Sequence, residues 1–424
     1  MFATLRNAWK IPDLRKKMLY TLLMIVVFRL GSFIPIPGLN PAALQQMVEE
    51  GGNSLFSMLD AFSGGSFSQA TIFAMSITPY INSSIILQLL TVAIPALERL
   101  SKEGEEGRKK IAKWTRILTI VLAFIQATGL YFGIKGAVTN PSPASYITIV
   151  ATFTAGTAFL MWLGEQITQK GIGNGISMII FAGIVSRIPS MGLSVIKTVQ
   201  TGGAQWWMAV LVLVFALAMI AFVVFITDAE RRISVQYAKR MVGRKMYGGQ
   251  SSHIPIKVAM AGVIPIIFAM SIMSFPGTIV QLMGANPTGF WGKVMSIFQP
   301  SSTVYIIIYF LLIIFFTYFY TAIQFNPVEI ANNMKKNGGF VPGIRPGKPT
   351  SDYMSKILTR ITLAGAVFLA VVAVIPLVFA KAVPALQMVS IGGSSLLIMV
   401  GVALETVKQL ESQMMMRHYK GFLD

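Results

Sequence analysis

The 424-residue sequence contains no cysteine and only two histidines, His253 and His418. The first absence excludes disulfides, thiol catalysis and thiolate metal sites. The second leaves too few imidazoles for a histidine metal cluster. Charge is scarce as well. Only 12% of residues are Asp, Glu, Lys or Arg, about half the share usual in soluble domains, roughly 25%. Acids are the rarer kind, 16 against 35 basic residues. The chain also lacks a glycine-rich nucleotide loop of the Walker pattern. What fills it is apolar: 54% of residues are hydrophobic, and they gather into runs long enough to cross a bilayer core. This is the composition of an integral membrane protein. The formal net charge of +19 then reads first as a topology signal and a means of contacting anionic lipid, not as a sign of direct DNA binding.

Ten apolar windows are long enough to span: 18–36, 70–93, 115–134, 146–164, 174–195, 206–227, 257–278, 304–325, 357–380 and 386–406. With the N-terminus inside, the inner segments are 1–17, 94–116, 165–175, 228–257, 326–360 and 407–424, and they hold 29 of the 35 Lys and Arg residues. The outer side holds only Lys135, Arg187, Lys197, Lys293 and Lys381, while Arg29 lies within the first window. A bias this strong supports the count and places both termini in the cytoplasm. The first window follows Arg15, Lys16 and Lys17 without a small-residue cleavage pattern, so it reads as a retained span. Ten spans divide into an N-terminal half, 1–195, and a C-terminal half, 196–424. Five is odd, so a repeat between the halves would have inverted topology.

One window is unusually polar. "ITPYINSSIILQLLTV" (77–92) carries Asn82, Ser83, Ser84 and Gln88, for which lipid offers no hydrogen-bond partner. At about 100° per residue, Ile77, Ile81, Ser84, Ile85, Gln88 and Thr91 share a side. That side should face other protein. Pro79 sits early enough to cost little backbone bonding. Three inner segments are long and basic. In the last of them, "GGFVPGIRPGKPT" sets Gly and Pro at turn-forming positions with Arg345 at the tip, which reads as a shaped docking loop suited to acidic or phosphate partners.

Two other function classes fit less well. An ion-coupled solute transporter commonly places ionisable residues at mid-membrane. Here the acids fall at span ends, in loops and in tails, which leaves a transporter or facilitator with inverted repeats as the alternative. A lipid-handling enzyme would need clustered metal ligands or a nucleotide loop, and the spans carry neither. Energy for any transport must come from outside the chain.

Long stretches, spread in order over nearly the whole chain, carry a family resemblance. They are "FRLGSFIPIPG" (28–38), "FSGGSFSQATIFAMSITPYINSSIILQLLTV" (62–92), "KEGEEGRKKIAKWTR" (102–116), "FLMWLGEQITQKGIGNGISMIIFAGIV" (159–185), "SVQYAKRMVGRKMYGGQSSHIPIKVAMAGVIPIIFA" (234–269), "NPVEIANNMKKNGGFVPGIRPGKPT" (326–350) and "GGSSLLIMVGVALETVKQ" (392–409). In these the chain resembles the bacterial SecY family, the channel-forming subunits of the Sec translocase.

The resemblance implies an all-α polytopic protein, ten transmembrane helices in two five-helix halves that close like a clamshell, with no active site and no cofactor. It implies a plasma-membrane location. The partners would be SecE, SecG, the SecA ATPase, the ribosome, signal peptides and translocating polypeptides. By motif position, the pore ring would be Ile77, Ile81, Ile176, Ile180, Ile267 and Ile398. A plug would occupy about 53–65, with Leu55, Phe56, Met58, Leu59, Asp60 and Phe62. A lateral gate would lie between the second and seventh spans, with Gln88 and Gln126 as polar gate positions. Docking would use Arg345 and the run Lys239, Arg240, Arg244 and Lys245. An apolar constriction suits such a pore because it gates by dewetting, and isoleucine is stiff at χ1.

Overall fold

A computed structural model of the chain describes residues 2–50, 56, 60, 63–201, 205–237, 240–242, 245–247, 251–282, 296–299, 302–382 and 393–420. The N-terminal part contains α1 (Phe2–Lys10), α2 (Pro12–Gly31), α3 (Pro41–Glu50), α4 (Thr78–Ala93), α5 (Pro95–Lys102), α6 (Glu105–Gly133), α7 (Pro143–Lys170) and α8 (Gly175–Gln200). The remainder contains α9 (Trp206–Asp228), α10 (Ile264–Leu282), α11 (Thr303–Gln324), α12 (Pro327–Lys336), α13 (Lys348–Ala382) and α14 (Gly393–Lys420). Each of the ten expected spans overlaps one of these: α2, α4, α6 to α11, α13 and α14. Among the described residues, six helical segments are long and apolar enough to cross a membrane alone, and the bent pair α4–α5 makes a seventh only when counted as one span. Part of the tenth window, 386–392, lies outside the described residues.

Helix boundaries follow local chemistry. Asn174 caps α8 by accepting from the N–H groups of Ile176 (3.1 Å) and Ser177 (3.4 Å), and Gly173 before it takes φ +83, a left-handed value that favours glycine. Ser142 caps α7 in the same manner. Ile94 is extended ahead of Pro95, as a residue before proline prefers, and α5 leaves α4 at 103°. α9 is apolar all round and exposes Leu213, Leu217 and Phe225, the surface of a lipid-facing helix.

Two expectations need correction. The second span does not begin as a helix at 70. Residues 64–77 run as tight turns, with Ala70 and Ser76 at positive φ, and Pro35 bridges Thr71. Backbone pairing to residues 34–36 satisfies this stretch without a helix, and α4 starts at Thr78 with Pro79 in its first turn, where the missing N–H is harmless. The basic inner segments 228–257 and 326–360 are likewise not loops. β1 (Glu230–Tyr237) pairs antiparallel with β4 (Ser251–Lys257), and β1 also pairs with β5 (Gly339–Phe340). Between β1 and β4 a small hairpin joins β2 (Arg240–Val242) to β3 (Lys245–Tyr247). Ile233, Val235, Ile256, Met334, Val341, Met354 and Leu358 form the core under the three-stranded sheet. The two basic segments are therefore one folded unit, seated on α12 and the first turns of α13.

Candidate functional site: an isoleucine cluster between four helices

Several helices leave the same apolar region between them. α8 packs on α7, α14 and α2, and α10 packs on α4, α6 and α11. Close approach is set by glycine. A Cβ on Gly175 would lie 1.9 Å from the Gly164 carbonyl oxygen, so the start of α8 rests directly on the α7 backbone. This places Ile176 and Ile180 toward the interior. Ile77 caps α4 and Ile81 follows one turn on. Ile267 lies in the first turn of α10, after a left-handed Gly262 at φ +59. Ile398 lies in the second turn of α14.

All six isoleucines lie in one hydrophobic cluster, with Phe28 and Phe73. They divide into two groups. Ile77, Ile180 and Ile398 are buried, at 1%, 3% and 0% exposure. Ile81, Ile176 and Ile267 are only partly buried against the same cluster. Phe28 stacks on Phe73 at 5.9 Å between ring centres, which backs the cluster with rigid apolar surface. The shared face of α4 behaves as its pattern requires. Ile77 and Ile85 are buried, Ile81, Ser84, Gln88 and Thr91 are half-buried, and none is exposed. The exposed residues of α4 are Leu90, Val92 and Ala93.

Gln88 and Gln126 stand on α4 and α6, helices that pack on each other and on α10. Gln126 is half-buried. The Gln88 Oε1 is buried with no hydrogen-bond partner among the described residues, which leaves a polar group that weakens this seam.

Of the plug candidates, Leu55, Met58, Leu59 and Phe62 lie outside the described residues. Phe56 stacks on Phe67 at 5.5 Å. Asp60 is buried and forms an ion pair with Arg187 of α8 at 3.2 Å. Arg187, counted with the outer charges although the window 174–195 contains it, lies inside α8, and the Asp60 carboxylate is buried. Sequence reasoning assigned Arg187 no role, although its spacing from Ile176 and Ile180 was there to be read.

On the folded basic unit, Arg345 is exposed, and its carbonyl accepts from the Thr350 hydroxyl at 2.8 Å, closing the "GIRPG" turn. Arg240 and Lys245 belong to β2 and β3, with Val242 opposite Lys245. Lys239 and Arg244 lie outside the described residues. Among the described residues no three His, Cys, Asp or Glu side chains come together as a metal site.

Known proteins match this chain end to end. The family model described as SecY matches residues 71–407. The chain is similar to the protein translocase subunit SecY of Halalkalibacterium halodurans, 50% identical with all of both chains covered. It is similar to that of Streptomyces galbus at 48% and of Mycobacterium tuberculosis at 46%, again over all of both chains. Among solved structures, one described as a protein conducting channel matches with TM-score 0.64 at 17% identity, covering 94% of this chain and 92% of that one. Sec61 in a canine ribosome-channel complex matches with the same score, identity and coverage. A structure concerning the plug domain of SecY matches with TM-score 0.66 at 18% identity and the same coverage. These likenesses establish a shared fold, and the family model and full-length relatives establish descent: the chain belongs to the SecY family.

Proposed function

We propose that this chain is the central subunit of a protein-conducting channel that passes unfolded secretory polypeptides across the membrane and releases membrane segments sideways into lipid. The observation that carries the reading is the single cluster formed by six isoleucines from α4, α8, α10 and α14. Half of them are only partly buried, as side chains around a narrow path are. A ring of bulky apolar groups excludes water and ions while no polypeptide is present, and yields to varied side chains when one is. The halves 1–195 and 196–424 would part at a gate between α4 and α10, where α6 and α11 flank the seam. Gln88 and Gln126 would lend that gate only modest polar stabilisation, up to roughly 2 kcal/mol.

The chain acts as a passive conduit without catalysis of its own. A motor such as SecA, or a translating ribosome, supplies the drive by docking on the folded basic unit that carries Arg345, and SecE and SecG complete the assembly. Two structural neighbours are described with ribosomes, Sec61 and the yeast Ssh1 complex, which supports the ribosome as a partner. The setting is a bacterial plasma membrane with both termini in the cytoplasm, supported by the Lys and Arg bias. The solute-transporter reading gains no support from the relatives or the structural neighbours.

Reconstitution with SecE and SecA in liposomes tests this. A secretory precursor should become protease-protected when ATP is added. Failure of the complete, correctly inserted complex to protect it would end the channel reading.

A further inference from the structure

The two proposed halves, 1–195 and 196–424, touch along two seams. On one, α4 and α6 pack on α10; on the other, α1 and α8 pack on α14. The seams treat their polar groups differently. The first buries the Gln88 Oε1 without a partner among the described residues. The second holds paired groups. The Thr21 hydroxyl of α2 donates to the Lys17 carbonyl at 3.0 Å and accepts from the Ile172 N–H at 3.0 Å. This ties the link between α7 and α8 to α2. A Cβ on Gly171 would lie 2.5 Å from the Thr21 Oγ1, so the link sits closer than a side chain allows. The Thr406 hydroxyl of α14 donates to the Val402 carbonyl at 2.7 Å and lies 3.7 Å from the Met178 sulfur of α8.

The short helix α1 closes the end of this second seam. A cluster separate from the isoleucines joins Leu5 and Ala8 of α1, Leu14 of α2, Ile172, and Leu410 and Met414 of α14. Ala8 is 0% exposed and Leu410 2%. Ala8 is the smallest member, and its lack of bulk lets α1 lie close on α14. One turn before it, the Thr4 hydroxyl donates to the Glu411 carboxylate at 2.9 Å. On the same stretch of α14, Lys408 pairs with Asp228, the last residue of α9, at 2.6 Å. Only Ile11 separates α1 from α2, so α1 cannot leave α14 without pulling on the first span.

We infer that α1 is an internal strap: through Ala8 against Leu410 and Thr4 on Glu411, it binds the first span to the last, so that the halves part between α4 and α10 while the α1–α14 contact stays made. The inference rests on the channel reading above. The two seams would part at different cost. Opening the second would expose the apolar groups around Ala8 and break paired hydrogen bonds. Opening the first would give the unpartnered Gln88 oxygen access to a donor. The strap also restrains opening. It holds α14, which carries Ile398, at one end, so α14 can tilt but not withdraw. Loosening it should lower the threshold that a signal segment must meet to open the channel.

The test uses the complete complex in proteoliposomes. Ala8→Trp puts a large ring where Leu410 packs and lifts α1 from α14. It should raise protease protection of a precursor whose signal segment has lost several apolar residues, by about tenfold over the unaltered channel. Ala8→Ser keeps the small volume and should stay at the unaltered level. A second measurement uses the cysteine-free background. Thr4→Cys with Glu411→Cys, joined by a reducible bis-thiol linker, should protect an ordinary precursor as well as the unaltered channel does. An Ala8→Trp channel that inserts normally and still rejects the weakened precursor would overturn the strap. So would a linked channel that loses protection of the ordinary precursor and regains it on reduction. Should Ala8→Trp fail to insert, the linked pair decides alone. Protection of the ordinary precursor by the unaltered complex reads the channel proposal separately, so a failure there is distinguishable from a failure of the strap.

Discussion

The isoleucine cluster among the apolar helices and the basic unit formed by 228–257 and 326–360 are built on opposite principles. The cluster is held by non-directional apolar contact among side chains from four helices. The basic unit is held by strand pairing of fixed register, with Ile233 opposite Ile254 and Gln236 opposite Phe340, over a small core. Apolar contact tolerates rearrangement, as the proposed path for varied polypeptides would require. A hydrogen-bonded register does not, and it would suit the proposed platform that presents Arg345 to a partner in one arrangement. Substitutions should therefore act on conductance in the first region and on folding or docking in the second.

The largest effect should come from replacing Ile81, Ile176 and Ile267 together by serine. Each partly buried side chain contributes less than the roughly 1.5–3 kcal/mol of full burial, but three together exceed the about 1.4 kcal/mol that shifts an equilibrium tenfold, so the resting ion conductance should rise by about tenfold. An unchanged conductance would remove these residues from the constriction. Ile180→Ala should instead act on stability, because Ile180 is buried, with a cost of about 2–5 kcal/mol read as a lowered thermal midpoint in detergent. In the basic unit, Gly339→Val would place a side chain against the Tyr237 ring, 2.9 Å from its Cβ. The expected cost is about 1–3 kcal/mol, visible as faster proteolysis of the 228–257 and 326–360 segments while membrane insertion stays normal. Arg345→Glu should slow SecA-driven precursor import into vesicles a few-fold, an effect of roughly 1 kcal/mol, without altering resting conductance.

The smallest effect concerns Glu98, at the elbow α5. The hydrogen bond from Lys102 at 2.6 Å, with its charge, holds the Glu98 carboxyl below the usual carboxylate range. A lowered pKa means that the pair's contribution is present above the ordinary carboxylate value and is lost as pH falls through the lowered one. Lys102→Gln should move the titration of a carbon-13-labelled Glu98 upward. A titration that does not move would show that Lys102 is not the cause.

The spans were legible because hydrophobic length and the sidedness of Lys and Arg are properties of residue type alone. The isoleucine cluster was legible only through family motifs, since any one isoleucine could equally pack or face lipid. What escaped notice depends on backbone pairing. "ERRISVQY" alternates so that Ile233 and Val235 point inward, a period-two signal obscured by the density of charge around it. The stretch 70–77 is apolar whether or not it is helical. Its left-handed Ala70 and Ser76 have no residue-type signature, and Pro79 was the cue to a later helix start. Arg187 was tallied with the outer charges although it falls inside the window 174–195, and the spacing Ile176, Ile180, Gly183, Arg187 places it on the same helix face as the cluster.

The most direct test of the central claim exploits the absence of native cysteine. A cysteine placed at Ile81, in the complete complex with a secretory precursor arrested midway, should cross-link to the precursor. A cysteine at Leu213, 61% exposed on the lipid-facing α9, should not. Cross-linking at Ile81 places the translocating chain within the isoleucine cluster. A precursor that reacts at Leu213 and not at Ile81 would contradict the account.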